Sequence, residues 1–136
     1  MLKFMLDTNA VPHALRDPQG RVARRLASEG ADARAVSIVV ASELRFGLAK
    51  IAHSGATKFS DRVEQLLSRI AVLPLDLPGD SHSGNIRATL ERAGMSISPN
   101  DLLIAAHARA LGLTLVSHNT SEFAHVVGLR CEDWSL

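Results

Sequence analysis

Short apolar runs alternate with longer stretches of helical periodicity along this chain, and that alternation limits the fold more than any other feature. Runs at residues 3–6, 35–38, 71–73 and 113–117 read as strands, with 129–131 as a last, edge strand. Helical patterns lie between them, at about 8–15, 18–29, 40–53, 58–70, 78–93 and 98–111. Such alternation builds an α/β fold on a mainly parallel sheet, because parallel neighbours need a crossover that is usually a helix. In 40–53 the apolar Val40, Leu44, Leu48 and Ile51 recur at spacings of four, four and three, one face of a helix. Val63, Leu66, Leu67 and Ile70 share a face in 58–70. Gly94 and Gly112 stand where helices end, and Ser98-Pro99 stands where one begins.

At 136 residues the chain is the size of one domain, and residues 1–136 are expected to form a single one. Usage of 46% hydrophobic and 21% charged residues excludes wholesale disorder. No apolar run approaches the ~18 residues of a membrane span. Asp7 interrupts the N-terminal apolar run before a signal-peptide core can form, so a cytoplasmic protein without membrane association is expected. Cys131 is the only cysteine, which excludes an intrachain disulfide and a Cys-rich zinc site. The net charge of +1 does not announce a nucleic-acid binder, unless several acids serve one site. With three acids set aside for a metal, 15 basic residues stand against 11 acidic ones.

Three acids occupy unusual places. Asp7 directly follows the first strand, and ligands of open α/β sheets bind beyond the carboxyl ends of strands. Asp also caps helices, so Asp7 reads equally as a cap, and one residue can do both. Glu43 flanks the apolar stripe of its helix, about 60° from Val40 and about 40° from Gly47 at 100° per residue. Gly47 weakens that helix and suggests room beside the Glu43 carboxylate; a boundary glutamate reaching for water is the plainer reading. Asp101, three residues after Ser98, fits a capping box, yet it shares a face with the small Ala105 and Ala108. Two carboxylates ~4 Å apart repel by about 4 kcal/mol at an effective dielectric of ~20, so convergence of the three calls for a cation or shifted pKa values. All-oxygen ligands select Mg²⁺ or Mn²⁺ over zinc.

The stretches Met5-Leu6-Asp7-Thr8-Asn9, Ser37-Ile38-Val39-Val40-Ala41-Ser42-Glu43-Leu44, Pro99-Asn100-Asp101-Leu102-Leu103-Ile104-Ala105-Ala106-His107-Ala108 and Leu115-Val116-Ser117-His118-Asn119 with Phe123 resemble, in order and spacing, the PIN domain. Within it they are similar to VapC-type toxins of bacterial toxin–antitoxin pairs, as are Gly84-Asn85-Ile86-Arg87-Ala88 and the Glu132-Asp133-Trp134 ending. The resemblance spans essentially the whole chain. It implies a three-layer α/β/α sandwich on a mostly parallel central sheet and a Mg²⁺- or Mn²⁺-dependent endoribonuclease. Asp7, Glu43 and Asp101 fall on the family's acidic positions as catalytic metal ligands. Thr8, Asn9 and Ser117 fall on supporting positions. Asn119 stands at the fourth metal-facing position, where the family often has Asp; it offers an oxygen but no charge, which leaves one metal or two open. Glu122 is a nearby acid able to compensate, though an acid before Phe123 is more simply solvated.

Arg45, Lys50 and Arg87 are the first candidates to contact RNA phosphates, ahead of Arg16, Arg21, Arg24 and Arg25. Aromatic residues are 4% of the chain, so a stacking platform is not expected and a folded RNA read by shape fits better. The resemblance admits tRNA as substrate. It implies a VapB-type antitoxin as partner, operator DNA bound only through that complex, and a homodimer. His107 on an apolar helix face reads as a core histidine, and His118 as an exposed loop histidine. Two rivals stand beside the nuclease. An aspartate-based phosphotransfer enzyme also places Asp after its first strand, but the haloacid-dehalogenase-like pattern wants a second Asp where Asn9 stands. The other rival is a catalytically inactive PIN-like module that binds RNA or the antitoxin.

Overall fold

The structure, a computed structural model, describes residues 1–52 and 57–136. Five strands form one parallel sheet: β1 (Phe4–Leu6), β2 (Arg34–Ser37), β3 (Ala71–Leu73), β4 (Thr114–Val116) and β5 (Cys131–Glu132), in the order β3-β2-β1-β4-β5. Register places Met5 beside Ala35 on one side and Leu115 on the other. The helices are α1 (Ala10–Arg16), α2 (Arg21–Glu29), α3 (Ile38–Ile51), α4 (Thr57–Arg69), α5 (Gly79–Arg92), α6 (Pro99–Leu111) and the four-residue α7 (Thr120–Phe123). The central strands β1 and β4 are buried along their length, as a sheet covered on both faces requires. Together these elements make the expected α/β/α sandwich, and among the described residues every strand pairing is parallel.

Differences from the sequence expectations have local causes. Helix α1 begins at Ala10 rather than near residue 8, because Thr8 and Asn9 form the turn that leaves β1. Helix α2 begins at Arg21 because residues 17–20 close a turn, with the Gly20 N–H donating to the Asp17 carbonyl at 3.0 Å. Ile38 starts α3 instead of ending β2, since the Ser37 hydroxyl accepts the Val39 N–H at 3.1 Å and caps the helix. The expected end of that helix at His53 lies outside the described residues. The last strand is Cys131–Glu132 rather than 129–131, and α7 carries no periodic signal of its own. Helix α6 runs as expected from Pro99, with the Ser98 hydroxyl accepting the Asp101 N–H at 3.4 Å, to Gly112 at φ 68°, where a side chain would be strained.

His107 of α6 is a core residue, 2% exposed, with Nδ1 2.8 Å from the capping hydroxyl of Ser37. It ties α6 to the start of α3. Burial pushes its pKa below the ordinary value near 6.5; the Pro74 carbonyl and Asp76 pull it back, but leave Nε2 without a completed hydrogen bond among the described residues. The unfolded chain therefore takes up a proton that the folded one resists. Stability is expected to hold above about pH 6.5 and to fall as the pH drops below that value. Thermal melts in steps from about pH 8 to pH 5 check this, and the His107→Gln variant should lose that part of the slope.

Candidate active site

The chain runs from β1 to β2 and β3 on one side of the sheet and returns to β4 and β5 on the other, so the topological switch lies between β1 and β4. Ligands of open α/β sheets bind in the crevice beyond the strand ends at that switch. Asp7 leaves β1 there and is 2% exposed. Its backbone N–H donates to the Val116 carbonyl at 2.9 Å. Its Oδ1 accepts the Thr8 N–H at 2.8 Å and its Oδ2 accepts the Ser117 hydroxyl at 2.7 Å. Asp7 does not cap α1, whose N-cap position is Asn9, so the capping reading falls away. Burial raises the Asp7 pKa above the ordinary carboxylate value; the Ser117 and Thr8 bonds lower it, the Asp101 charge raises it, and His118 lowers it.

Glu43 and Asp101 arrive from α3 and α6, both half-buried, and both stand close enough to interact with Asp7. Burial raises the Glu43 pKa, Thr8 lowers it, and Asp7 and Asp101 raise it further. The Thr8 hydroxyl thus stands beside the Glu43 carboxylate. Yet Thr8 Oγ1 and Glu43 Oε1 are both buried without a completed hydrogen bond among the described residues. Glu122, on α7, belongs to the same crevice: burial raises its pKa, followed by Asp101 and then Asp7. The sequence reading offers Glu122 as a nearby acid, and the structure puts it, partly exposed, within range of the Asp101 and Asp7 charges.

Mutual repulsion and orphaned oxygens of this kind are what a cation relieves. The donors are carboxylates and a hydroxyl, which suit Mg²⁺ or Mn²⁺. Among the described residues no three His, Cys, Asp or Glu side chains already stand at a common coordination distance. Mg²⁺ does not need them to, since it keeps several waters and takes one or two carboxylates directly. The residues fit such an ion.

Around the acids, Asn9 spans the crevice floor. Its amide Nδ2 lies 3.3 Å from Ser117 Oγ and a long 3.5 Å from Asp7 Oδ2, and its Oδ1 accepts the His118 N–H at 3.2 Å. The Ser117 hydroxyl also accepts the Asn119 N–H at 3.0 Å, and the Asn119 side chain is exposed. Gly47 is exposed and an added Cβ would meet open space, so no close packing contact requires a glycine there. Among the phosphate-contact candidates, Arg45 pairs with Glu64 at 2.7 Å, Arg87 pairs with Glu91 at 3.2 Å, and Lys50 lies over Phe46. These pairs are exposed and weak enough for a phosphate to replace the carboxylate. Arg25 is engaged by Glu29, Glu132 and the Trp134 ring, and Arg16 lies over Phe59. His118 is not the exposed loop residue expected: its side chain is 30% exposed and both ring nitrogens have partners. Cys131 is half-buried with its pKa raised to about 11, mainly by burial, and so is unreactive at neutral pH.

A parallel α/β sheet with buried acids gathered over its switch point defines a fold and a centre suited to a hard divalent cation. The PIN domain family matches residues 4–129. The chain belongs to that family, in its VapC branch. It is 40% identical to the tRNA(fMet)-specific endonuclease VapC of Shigella flexneri, covering 99% of this chain and 100% of the relative. It is 38% identical to Ribonuclease VapC2 of Haemophilus influenzae, covering 98% and 99%. The crystal structure of DNA-bound VapBC from Salmonella typhimurium superposes with a TM-score of 0.89 at 35% identity, covering 98% of this chain and 99% of that one.

Proposed function

We propose that the protein is a VapC-type toxin, an endoribonuclease that hydrolyses RNA phosphodiesters with Mg²⁺ or Mn²⁺ and so inhibits translation. The observation that carries this reading is the set of mutually repelling acids, Asp7, Glu43 and Asp101, meeting at the sheet's switch point with Glu43 Oε1 and Thr8 Oγ1 left unpaired. A bound cation there supplies Lewis acidity to the phosphate and lowers the pKa of water. Asp7, Glu43 and Asp101 hold it, and Asn119 is exposed at the mouth as a neutral fourth oxygen. The Thr8 N–H and the Ser117 hydroxyl fix the Asp7 carboxylate, and Asn9 holds the β1 and β4 turns together. Arg45, Lys50 and Arg87 are available to the RNA backbone. No protein nucleophile is needed.

The name of the Shigella relative supports tRNA as the substrate class. The DNA-bound VapBC neighbour supports a VapB-type antitoxin as partner; in the reading proposed here that antitoxin blocks the acidic crevice and operator DNA is reached only through the complex. Among the described residues no helix is long and apolar enough to cross a membrane, in keeping with action in the cytoplasm. A homodimer belongs to the same reading.

The test is cleavage of total RNA and of purified tRNA by the isolated protein with Mg²⁺, with Mn²⁺ and with EDTA. Discrete products are expected with either metal and none with EDTA. Cleavage unaffected by EDTA would remove the metal. A folded protein that binds metal and forms a trapped aspartyl-phosphate instead would make it a phosphotransfer enzyme. A protein that binds RNA or antitoxin but neither metal nor cuts would be an inactive module.

A further inference from the structure

Beside the acidic crevice, α1 and the loop after β4 bring two imidazoles together in a way the hydrolytic reading does not use. His118 Nε2 lies 3.1 Å from His13 Nδ1, with ring centroids 4.7 Å apart and planes at 61°. The other His118 nitrogen, Nδ1, lies 3.1 Å from Asp133 Oδ1. That oxygen is itself fixed by the Ser135 N–H at 2.9 Å and the Ser135 hydroxyl at 2.6 Å. A carboxylate on Nδ1 places the proton there and leaves the lone pair of a neutral imidazole on Nε2, aimed at His13. A carboxylate orienting a histidine from behind is the outer shell that metal-bound histidines characteristically have. That lone pair accepts the His13 Nδ1–H, and once zinc displaces the proton two nitrogens 3.1 Å apart can turn off their common line to share one ion at bonds of ~2.0–2.1 Å, subtending about 100°.

We propose that His13 and His118 form a two-histidine site for a borderline divalent cation such as Zn²⁺, separate from the carboxylates of Asp7, Glu43 and Asp101. Asp133 positions His118 for it. Imidazole favours Zn²⁺, Ni²⁺ and Cu²⁺, whereas carboxylates favour Mg²⁺ and Mn²⁺, so the two neighbouring sites sort different ions by ligand chemistry. Water fills the remaining positions, since among the described residues no third such side chain completes a cluster. An ion there links α1, the loop carrying Ser117 and Asn119, and the C-terminal segment.

Zn²⁺ titrated calorimetrically into the full chain, with Mg²⁺ in large excess to occupy the acids, tests this. One Zn²⁺ per chain is expected, and only the His13 and His118 ring resonances should move on its addition. His13→Gln and His118→Asn should each weaken binding by roughly 10-fold or more, and Asp133→Asn by about 10-fold. His125→Asn should leave it unchanged, and Asp7→Asn, which removes a charge near His118, should weaken it far less than either histidine variant. Binding that survives both histidine variants, that disappears in Asp7→Asn, or that is absent from the wild type overturns the site. Should one histidine variant fail to fold, the other and the wild-type ring shifts still decide.

Discussion

Asp7→Asn is expected to lower metal-dependent RNA cleavage by about 10³-fold or more while leaving the protein folded. Metal stabilisation of a phosphoryl transition state supplies several kcal/mol, and each 1.4 kcal/mol is about tenfold in rate. The fold survives because asparagine keeps the shape of the side chain. Its Oδ1 can take the Thr8 N–H that Asp7 now accepts at 2.8 Å, while the Ser117 hydroxyl, which already accepts from Asn9 and Asn119, loses the carboxylate it donates to. The substitution also removes a burden. Burial and Asp101 raise the Asp7 pKa, so at neutral pH its ionised form weighs against folding. That weight is relieved as the pH falls through the raised pKa toward the ordinary value near 3.8. Without metal, the variant should therefore melt near the wild-type temperature at neutral pH, the relieved charge set against the lost Ser117 bond.

Added Mg²⁺ or Mn²⁺ separates the two proteins. An ion that binds only the folded state at ~100 times its Kd stabilises by about 2.7 kcal/mol, and the variant should lose that gain. Melting curves with metal, with EDTA and for both proteins separate a lost ligand from a lost fold. A variant that still cuts RNA in a metal-dependent way removes Asp7 from the mechanism.

Much of this site is legible in the sequence because its acids sit at element boundaries. Asp7 ends an apolar run and Asp101 follows a Ser-Pro helix start, so both positions survive errors of a residue or two in the helix and strand limits. Glu43 is harder. It belongs to a periodic helix, where only its angle from Val40 and Leu44 distinguishes it from any boundary glutamate. Gly47 does not help to single it out, since it lies on an exposed helix face in open space and packs against nothing.

What is not legible depends on contacts between distant segments. Glu122 lies on a helix of four residues, too short for periodicity, so the sequence names it as a nearby acid without placing it, and its interaction with Asp101 does that. The arrangement of His13, His118 and Asp133 joins positions 105 and 15 residues apart, and no spacing rule connects them. The same holds for β5. Its place is set by pairing with Leu115 and Val116 rather than by its own sequence, so the expected strand lies two residues early. His107, by contrast, reads correctly as core because it stands a turn from the buried Ile104 on α6, although Leu111 on the same expected face is exposed.

Phe123→Ala is expected to cost about 3–5 kcal/mol and lower the melting temperature by about 10–20 °C. Phe123 is fully buried, at 0% exposed, and anchors a helix that has little else to hold it. Helix α7 is far below the ~12–15 residues at which helices persist alone, so packing rather than propensity keeps it in place. Its neighbours are the edge strand β5 and the segment that returns through Val126, whose N–H donates to the Phe123 carbonyl at 3.0 Å. Removing the ring leaves a cavity under the turn that carries Glu122. With domain stabilities of about 5–15 kcal/mol, the variant stands near the unfolding threshold. Phe123→Leu, which refills most of the volume, should recover most of the stability. Denaturant melts of the two variants decide the matter: similar losses in both would show that ring shape rather than volume holds α7, and little loss in either would show that the helix is held from elsewhere.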